Sequence, residues 1–189
     1  MQRELVERAR SGDHDAFSVL ARASIGRLYA IATLILRDGD RAQDAVQEAL
    51  VSAWRDVRAI RDPEAWDAWL HRLTVRACYR VSRKERRRDL VELHVTPDEE
   101  PQEPTDMSMQ LAERDRLERE LGRLPIDQRA VMVLHFYFDL PLTEVAVILD
   151  IPAGTAKSRL HRGLTTLRAS IGAESAVTHG GSVAPERIA

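Results

Sequence analysis

The sequence predicts an all-α protein built from two small helical domains. Three observations lead there. Aromatic residues make up 5% of the 189-residue chain and charged residues 31%, a balance that suits helices better than strands. Apolar residues recur at steps of three and four through several long segments, the spacing of a helix face. Between these segments, Pro97, Pro101 and Pro104 stand among Asp98, Glu99, Glu100, Glu103 and Asp106, a composition that suits an extended, flexible linker. The expected layout is an N-terminal domain over 1–90, an acidic Pro-rich linker over 91–108, a C-terminal domain over 109–171 and a disordered tail over 172–189.

Each element follows from local pattern. Residues 2–11 form a short amphipathic helix with Leu5, Val6 and Ala9 on one side, broken by Ser11-Gly12-Asp13. Asp13 or Asp15 can cap a second helix reaching about Arg37. Phe17, Leu20, Ala21, Leu28, Ile31, Ala32, Ile35 and Leu36 supply its apolar stripe. Asp38-Gly39-Asp40 is a turn and a fresh cap. A third helix runs from about Arg41 to Val57, with Val46, Ala49, Leu50, Ala53, Trp54 and Val57 inward. Asp62-Pro63 is a strong helix entry, because Asp caps and Pro fits the first turn. The fourth helix spans about Glu64 to Arg88, burying Trp66, Trp69, Leu70, Leu73, Ala77 and Val81. Four helices with short connections make a bundle.

Beyond the linker, one helix covers about 109–123 and another 126–138. Asp139-Leu140-Pro141 ends the second. Leu142 to Leu167 then has the form of a helix-turn-helix. Thr143–Leu149 is its first helix, Asp150-Ile151-Pro152-Ala153-Gly154 its corner and Thr155–Arg168 its second helix. Ala156, Leu160, Gly163, Leu164 and Leu167 share one face of that second helix. Thr155, Lys157, Ser158, Arg159, His161 and Arg162 occupy the rest.

Charge separates the chain into blocks. Residues 66–88 hold eight Lys/Arg against two acids, and residues 89–120 hold three against eleven. Residues 151–171 hold four basic side chains and no acid. Two basic segments flanking an acidic one point to two polyanion-binding surfaces. The opening residues show no secretory pattern, and the most apolar run, Tyr29–Leu36, is far too short for a bilayer. A cytoplasmic protein without membrane insertion is expected. The lone cysteine, Cys78, excludes an internal disulfide. The six histidines show no metal-ligand spacing, and no phosphate loop or nucleophile elbow appears. No enzyme, metal or cofactor is expected.

The second helix of the helix-turn-helix has the chemistry of a recognition helix. Its N-terminus favours phosphate, and hydroxyl, ammonium and guanidinium groups in its first turns can reach base edges in a major groove. An ordinary helical hairpin has the same spacing, but the absence of acids over 151–171 favours nucleic acid. The arginines Arg72, Arg76, Arg80 and Arg83, with Lys84 and Arg86-Arg87-Arg88, exceed what matching a helix dipole requires, so a phosphate-binding role is favoured there too. Asp44, Gln47 and Glu48 lie opposite the third helix's apolar stripe, as a solvated face or a protein contact.

These segments together resemble the extracytoplasmic-function (ECF) branch of the bacterial RNA polymerase sigma factors. Ala42–Trp54 looks like region 2.2 of that family, and Trp69-Leu70-His71-Arg72-Leu73 like regions 2.3–2.4. Leu124–Val131 and Gly154–Gly163 look like region 4. The resemblance spans roughly residues 5–171. It implies that Asp44, Gln47 and Glu48 dock on the β′ clamp helices of core RNA polymerase, with the C-terminal domain near the β flap. It implies that Arg58, Arg61, Arg72, Arg76, Tyr79, Arg80, Arg83 and Lys84 meet the −10 region of promoter DNA, and that Thr155, Lys157, Ser158, Arg159, His161 and Arg162 read the −35 element. Residues 89–112 would thread toward the active-site channel, and an anti-sigma partner follows from family habit. Gln43, Ala45 and Arg76 depart from common family residues at the clamp contact and the −10 surface. The rival expectation is a stand-alone helix-turn-helix regulator, which would bind a symmetric operator without polymerase.

Overall fold

The computed structural model describes residues 1–91 and 119–179. All of its regular elements are helical. Helix α1 (Gln2–Arg10) ends where Gly12 takes a left-handed φ of 96°. Asp13 caps α2 (His14–Leu36), accepting from the backbone N–H groups of Asp15 and Ala16 at 3.0 Å. This resolves the choice between Asp13 and Asp15. Asp38 caps α3 (Gly39–Asp56) through the Arg41 N–H at 2.9 Å.

The buried stripe of α3 is mostly alanine: Ala42, Ala45, Ala49 and Ala53, with Val46. Small side chains let α2 and α4 pack close on either side. Leu50 is only half-buried against that core, and Trp54 only half-buried. Two 3-10 turns, Val57–Ala59 and Pro63–Ala65, carry the chain into α4 (Trp66–Val91). Asp62 accepts from the Glu64 N–H at 3.0 Å with Pro63 in the first turn, as its sequence predicts. Helix α2 is long and apolar enough by composition to cross a membrane, yet Leu20, Leu28, Ile31, Ala32 and Ile35 on it lie in the bundle core.

Residues 119–123 are helical; the earlier part of the expected 109–123 helix, and the acidic linker, lie outside the described residues. Helix α5 (Ile126–Met132) continues into a π-helical turn, Val133–Tyr137. The extra residue in that turn re-aims the chain, and His135 Nδ1 lies 2.8 Å from the Leu140 carbonyl beyond it. Helix α6 (Leu142–Leu149) ends at Asp150 with φ 57°. Helix α7 (Ala153–His179) packs on both α5 and α6. It runs well past Arg168, so the expected tail from Gly172 begins too early. Dense periodicity stops near Leu167, but the following residues are compatible with helix and extend it. The end of that tail, 180–189, lies outside the described residues.

The two domains are not held apart. Helix α6 lies on α4, and α5 with its π turn lies on α2. Ala130, Val131, Val133, Leu134, Val145 and Ile148 join one buried cluster with Leu28, Ile35, Trp66 and Leu70. Apolar burial across the boundary favours this closure.

Candidate nucleic-acid interface

Helix α4 carries the basic surface of the N-terminal domain, and its turns divide that surface among three surroundings. Arg72 and Arg76 face α6. Arg72 Nη2 lies 2.8 Å from Asp150 Oδ2, and Arg76 Nη2 donates to the same oxygen at 2.9 Å. These two cations hold the Asp150 carboxyl below the usual carboxylate range, Arg72 more strongly. Arg80 instead donates to Glu48 on α3. Arg83 and Lys84 are exposed further along.

Arg80 and Lys84 therefore line a different surface from Arg72. With Arg41, Asp44, Gln47, Glu48, Val51 and Arg55, they border an open groove of about 1210 Å³ between α3 and α4. Asp44, Gln47 and Glu48 come together on it as expected from their spacing. Arg41 links α3 to α4 at this groove, pairing with Asp38 at 3.1 Å and with Glu85.

Arg58 and Arg61 are exposed on the 3-10 segment that precedes α4. Trp66 is buried, its ring edge-on to Phe17 at 6.1 Å. Trp69 is half-buried beside it, 5.6 Å between centroids. Tyr79 is half-buried near Arg159 and Asp127 of the other domain, and its hydroxyl makes no hydrogen bond among the described residues. Burial pushes its pKa up to about 12. Cys78 is fully buried, its thiol likewise pushed up to about 12, which makes it a core residue with little thiolate.

In the helix-turn-helix, Ala156, Gly163 and Leu167 are buried, and Leu160 and Leu164 half-buried. Gly163 sits where a Cβ would come within 2.7 Å of Met132 Sδ, so a larger residue here would force the Met132 side chain to move. The opposite face presents Lys157, His161 and Arg162 to solvent. Thr155, Ser158 and Arg159 are half-buried. Ser158 turns its hydroxyl back to the Thr155 carbonyl at 3.0 Å. Arg159, 25% exposed, pairs with Asp127 on α5 at 3.1 Å. Of the six expected reading residues, three are outward.

Two features escaped the sequence. Asp150 is a corner residue by pattern, and nothing local marks it as the partner of arginines 78 and 74 positions earlier. Arg129 is another: its guanidinium donates to the carbonyls of Ile35, Gly122 and Leu124 at 2.7, 2.6 and 2.8 Å. Its place after Leu124-Pro125 was the available signal.

Comparison with known proteins agrees with this layout. The family model for Sigma-70 region 2 matches residues 20–88, and that for Sigma-70, region 4 matches residues 114–167. The ECF RNA polymerase sigma factor SigM of Mycobacterium tuberculosis (strain H37Rv) is 32% identical over 170 residues, covering 89% of this chain and 84% of its own length. ECF RNA polymerase sigma factor SigW of Bacillus subtilis (strain 168) is 26% identical over 178 residues, with 89% and 95% covered. The ECF RNA polymerase sigma-E factor of Escherichia coli (strain K12) is 29% identical over 168 residues, with 84% and 87% covered. Among solved structures, CnrH in complex with the cytosolic domain of CnrY superposes with a TM-score of 0.66 at 23% identity, covering 91% of this chain and 97% of that one. The sigma factor RpoE in complex with the anti-sigma factor NepR from Bartonella quintana gives 0.65 at 23%, with 82% and 96% covered. Matches at both ends of the chain disfavour a stand-alone regulator, and the chain belongs to the ECF RNA polymerase sigma factors.

Proposed function

We propose that this sigma factor docks on core RNA polymerase through the α3 strip of Asp44, Gln47 and Glu48, and reads a promoter with two separate faces. The observation that carries the proposal is the division of surfaces. Asp44, Gln47 and Glu48 form a strip on α3, in a groove whose α3 side also holds Arg41 and Arg55, while other cationic side chains lie on α4 and α7. A single chain thus offers one face suited to a basic protein surface and two suited to DNA.

Lys157, His161 and Arg162 form the row of α7 that enters the −35 major groove, with Arg159, Thr155 and Ser158 at its edge. Phosphate contacts set register, and a few side chains choose sequence. Arg58, Arg61, Arg72, Arg76, Tyr79 and Arg83 serve the −10 region, with Trp69 able to stack on an unpaired base. Arg80 and Lys84 border the docking groove and act there as much as on DNA. Each DNA contact alone is weak. Polymerase raises the local concentration of both, so they combine. The C-terminal domain lies near the β flap in this arrangement.

The chain acts in the cytoplasm, binds rather than catalyses, and is held in check by an anti-sigma partner. The sigma factor RpoE, which has the same fold, was solved with an anti-sigma factor, NepR. Transcription with purified core polymerase on a genomic fragment library tests the proposal. The expected result is start sites that appear only when this chain is added. A library transcribed identically with and without it would contradict the reading.

A further inference from the structure

The segment that carries Arg58 and Arg61 is pinned to the bundle. Val57 and Ile60 are buried in the core, while Arg58 and Arg61 beside them are exposed. Helix α1 packs on both 3-10 turns of the segment. A Cβ on Gly12, whose φ is 96°, would lie 3.5 Å from Arg58 Nη2, so the turn between α1 and α2 abuts that guanidinium. Gln2 donates to Asp67 at 3.2 Å, tying the start of α1 to the start of α4.

Aromatic rings join the two stems of the segment. Trp54 lies on α3 just before it, and Trp66 opens α4 just after it. Phe17 of α2 meets both. Its ring lies 4.9 Å from that of Trp54 at 65°, and 6.1 Å from that of Trp66 at 85°. His14 extends the row on one side, 4.3 Å from Trp54, and Trp69 on the other, 5.6 Å from Trp66. Edge-to-face pairs favour a particular geometry and contribute beyond their buried area. Phe17 is the member of the row that reaches from one stem to the other.

We infer that Phe17 is a positioning residue for −10 reading: its ring sets how Trp54 and Trp66 stand to each other, and so where the segment between them holds Arg58 and Arg61. The inference deepens the function proposed above and rests on Arg58 and Arg61 being −10 contacts. A segment fixed before DNA arrives loses less freedom on binding, and a small misplacement of its side chains is costly. The effect should be local. Leu28, Ile31, Ala32 and Ile35 hold α2 in the core further along. Asp44, Gln47 and Glu48 lie more than a turn before Trp54 on α3, and the helix-turn-helix is elsewhere.

The test uses the full chain with core polymerase on promoters that differ by one base in the −10 or the −35 element. Phe17→Leu keeps an apolar side chain and removes the ring. The expected result is an about fivefold loss of −10 discrimination, with −35 discrimination and capture by immobilised core enzyme unchanged. Near-UV circular dichroism should change as well, because all three tryptophans of the chain stand in this row. Phe17→Tyr, which restores a ring, should restore both. Phe17→Met gives the same reading should the leucine chain not fold. Equal losses at −10 and −35, or intact −10 discrimination, overturn the positioning role. A chain with Arg58→Ala and Arg61→Ala separates the two claims. If it loses −10 discrimination and Phe17→Leu does not, only the positioning role falls. If neither chain loses it, the assignment of the segment to the −10 element falls as well. Loss in the Phe17→Leu chain alone also overturns the inference, because Phe17 would then act through another element.

Discussion

Arg129 on α5 reaches across the domain boundary to the Ile35 carbonyl on α2, at 2.7 Å. The same guanidinium also binds the Gly122 and Leu124 carbonyls, so one side chain ties the end of α2 to the entry of the C-terminal domain. Burial makes its charge costlier, pushing its pKa down from the usual arginine value.

Arg129→Ala removes three charge-assisted hydrogen bonds and leaves carbonyls unpaired. It should cost about 2–4 kcal/mol. Chemical denaturation of the full chain measures this. Arg129→Lys should recover only part of the loss, because an ammonium lacks the planar fork.

Gly163→Leu should destabilise the C-terminal helices by about 1–3 kcal/mol through overpacking, since even a Cβ there meets Met132 Sδ. Pairing it with Met132→Ala should return much of the loss in the same unfolding measurement. Additive losses in the double variant would contradict the contact.

His71 predicts a pH dependence. It is 5% exposed, and burial lowers its pKa from 6.5, Arg27 adding to the fall and Asp67 opposing it. The folded state therefore binds this proton less readily than the unfolded chain. Stability is full above 6.5 and is lost as pH falls from there toward the depressed folded value. His71→Gln should flatten the stability profile across that window. Asp150 acts lower. Its carboxyl is depressed below 3.8, so its pairing is present above that value and lost as pH falls through the folded one.

Glu48→Lys should weaken binding to core polymerase on the order of tenfold. It removes an acid from the docking strip and sets a cation against Arg80. Circular dichroism should stay unchanged, because the Glu48 side chain is 43% exposed and lies outside the buried stripe of α3. Unaltered capture by immobilised core enzyme would count against docking at this groove.

Much of the fold was legible because local signals agreed. Asp13, Asp38 and Asp62 each cap the element their sequence context announces. The stripe of Ala156, Gly163 and Leu167 is buried as its spacing requires. The α7 extension to His179 was missed because weak periodicity does not end a helix already started. The π turn at Val133–Tyr137 has no pattern of its own. Domain closure was missed for a deeper reason. Arg72, Arg76 and Asp150 each read as solvated charges, and only tertiary packing brings them within 3 Å. Likewise, spacing placed Arg159 with Lys157 and Arg162, but Asp127 on α5 draws it aside.

Arg162→Ala should cost roughly 1–3 kcal/mol of discrimination between a good and a mutated −35 element if Arg162 reads a base. Uniform weakening on every sequence would assign it to phosphate instead.

Footprinting of a promoter identified by this chain separates polymerase-borne recognition from free-standing DNA binding. Two protected patches, centred on the −10 and −35 elements, should appear only when core polymerase and this chain are present together. Protection of a single palindromic site by the chain without polymerase would contradict polymerase-borne recognition.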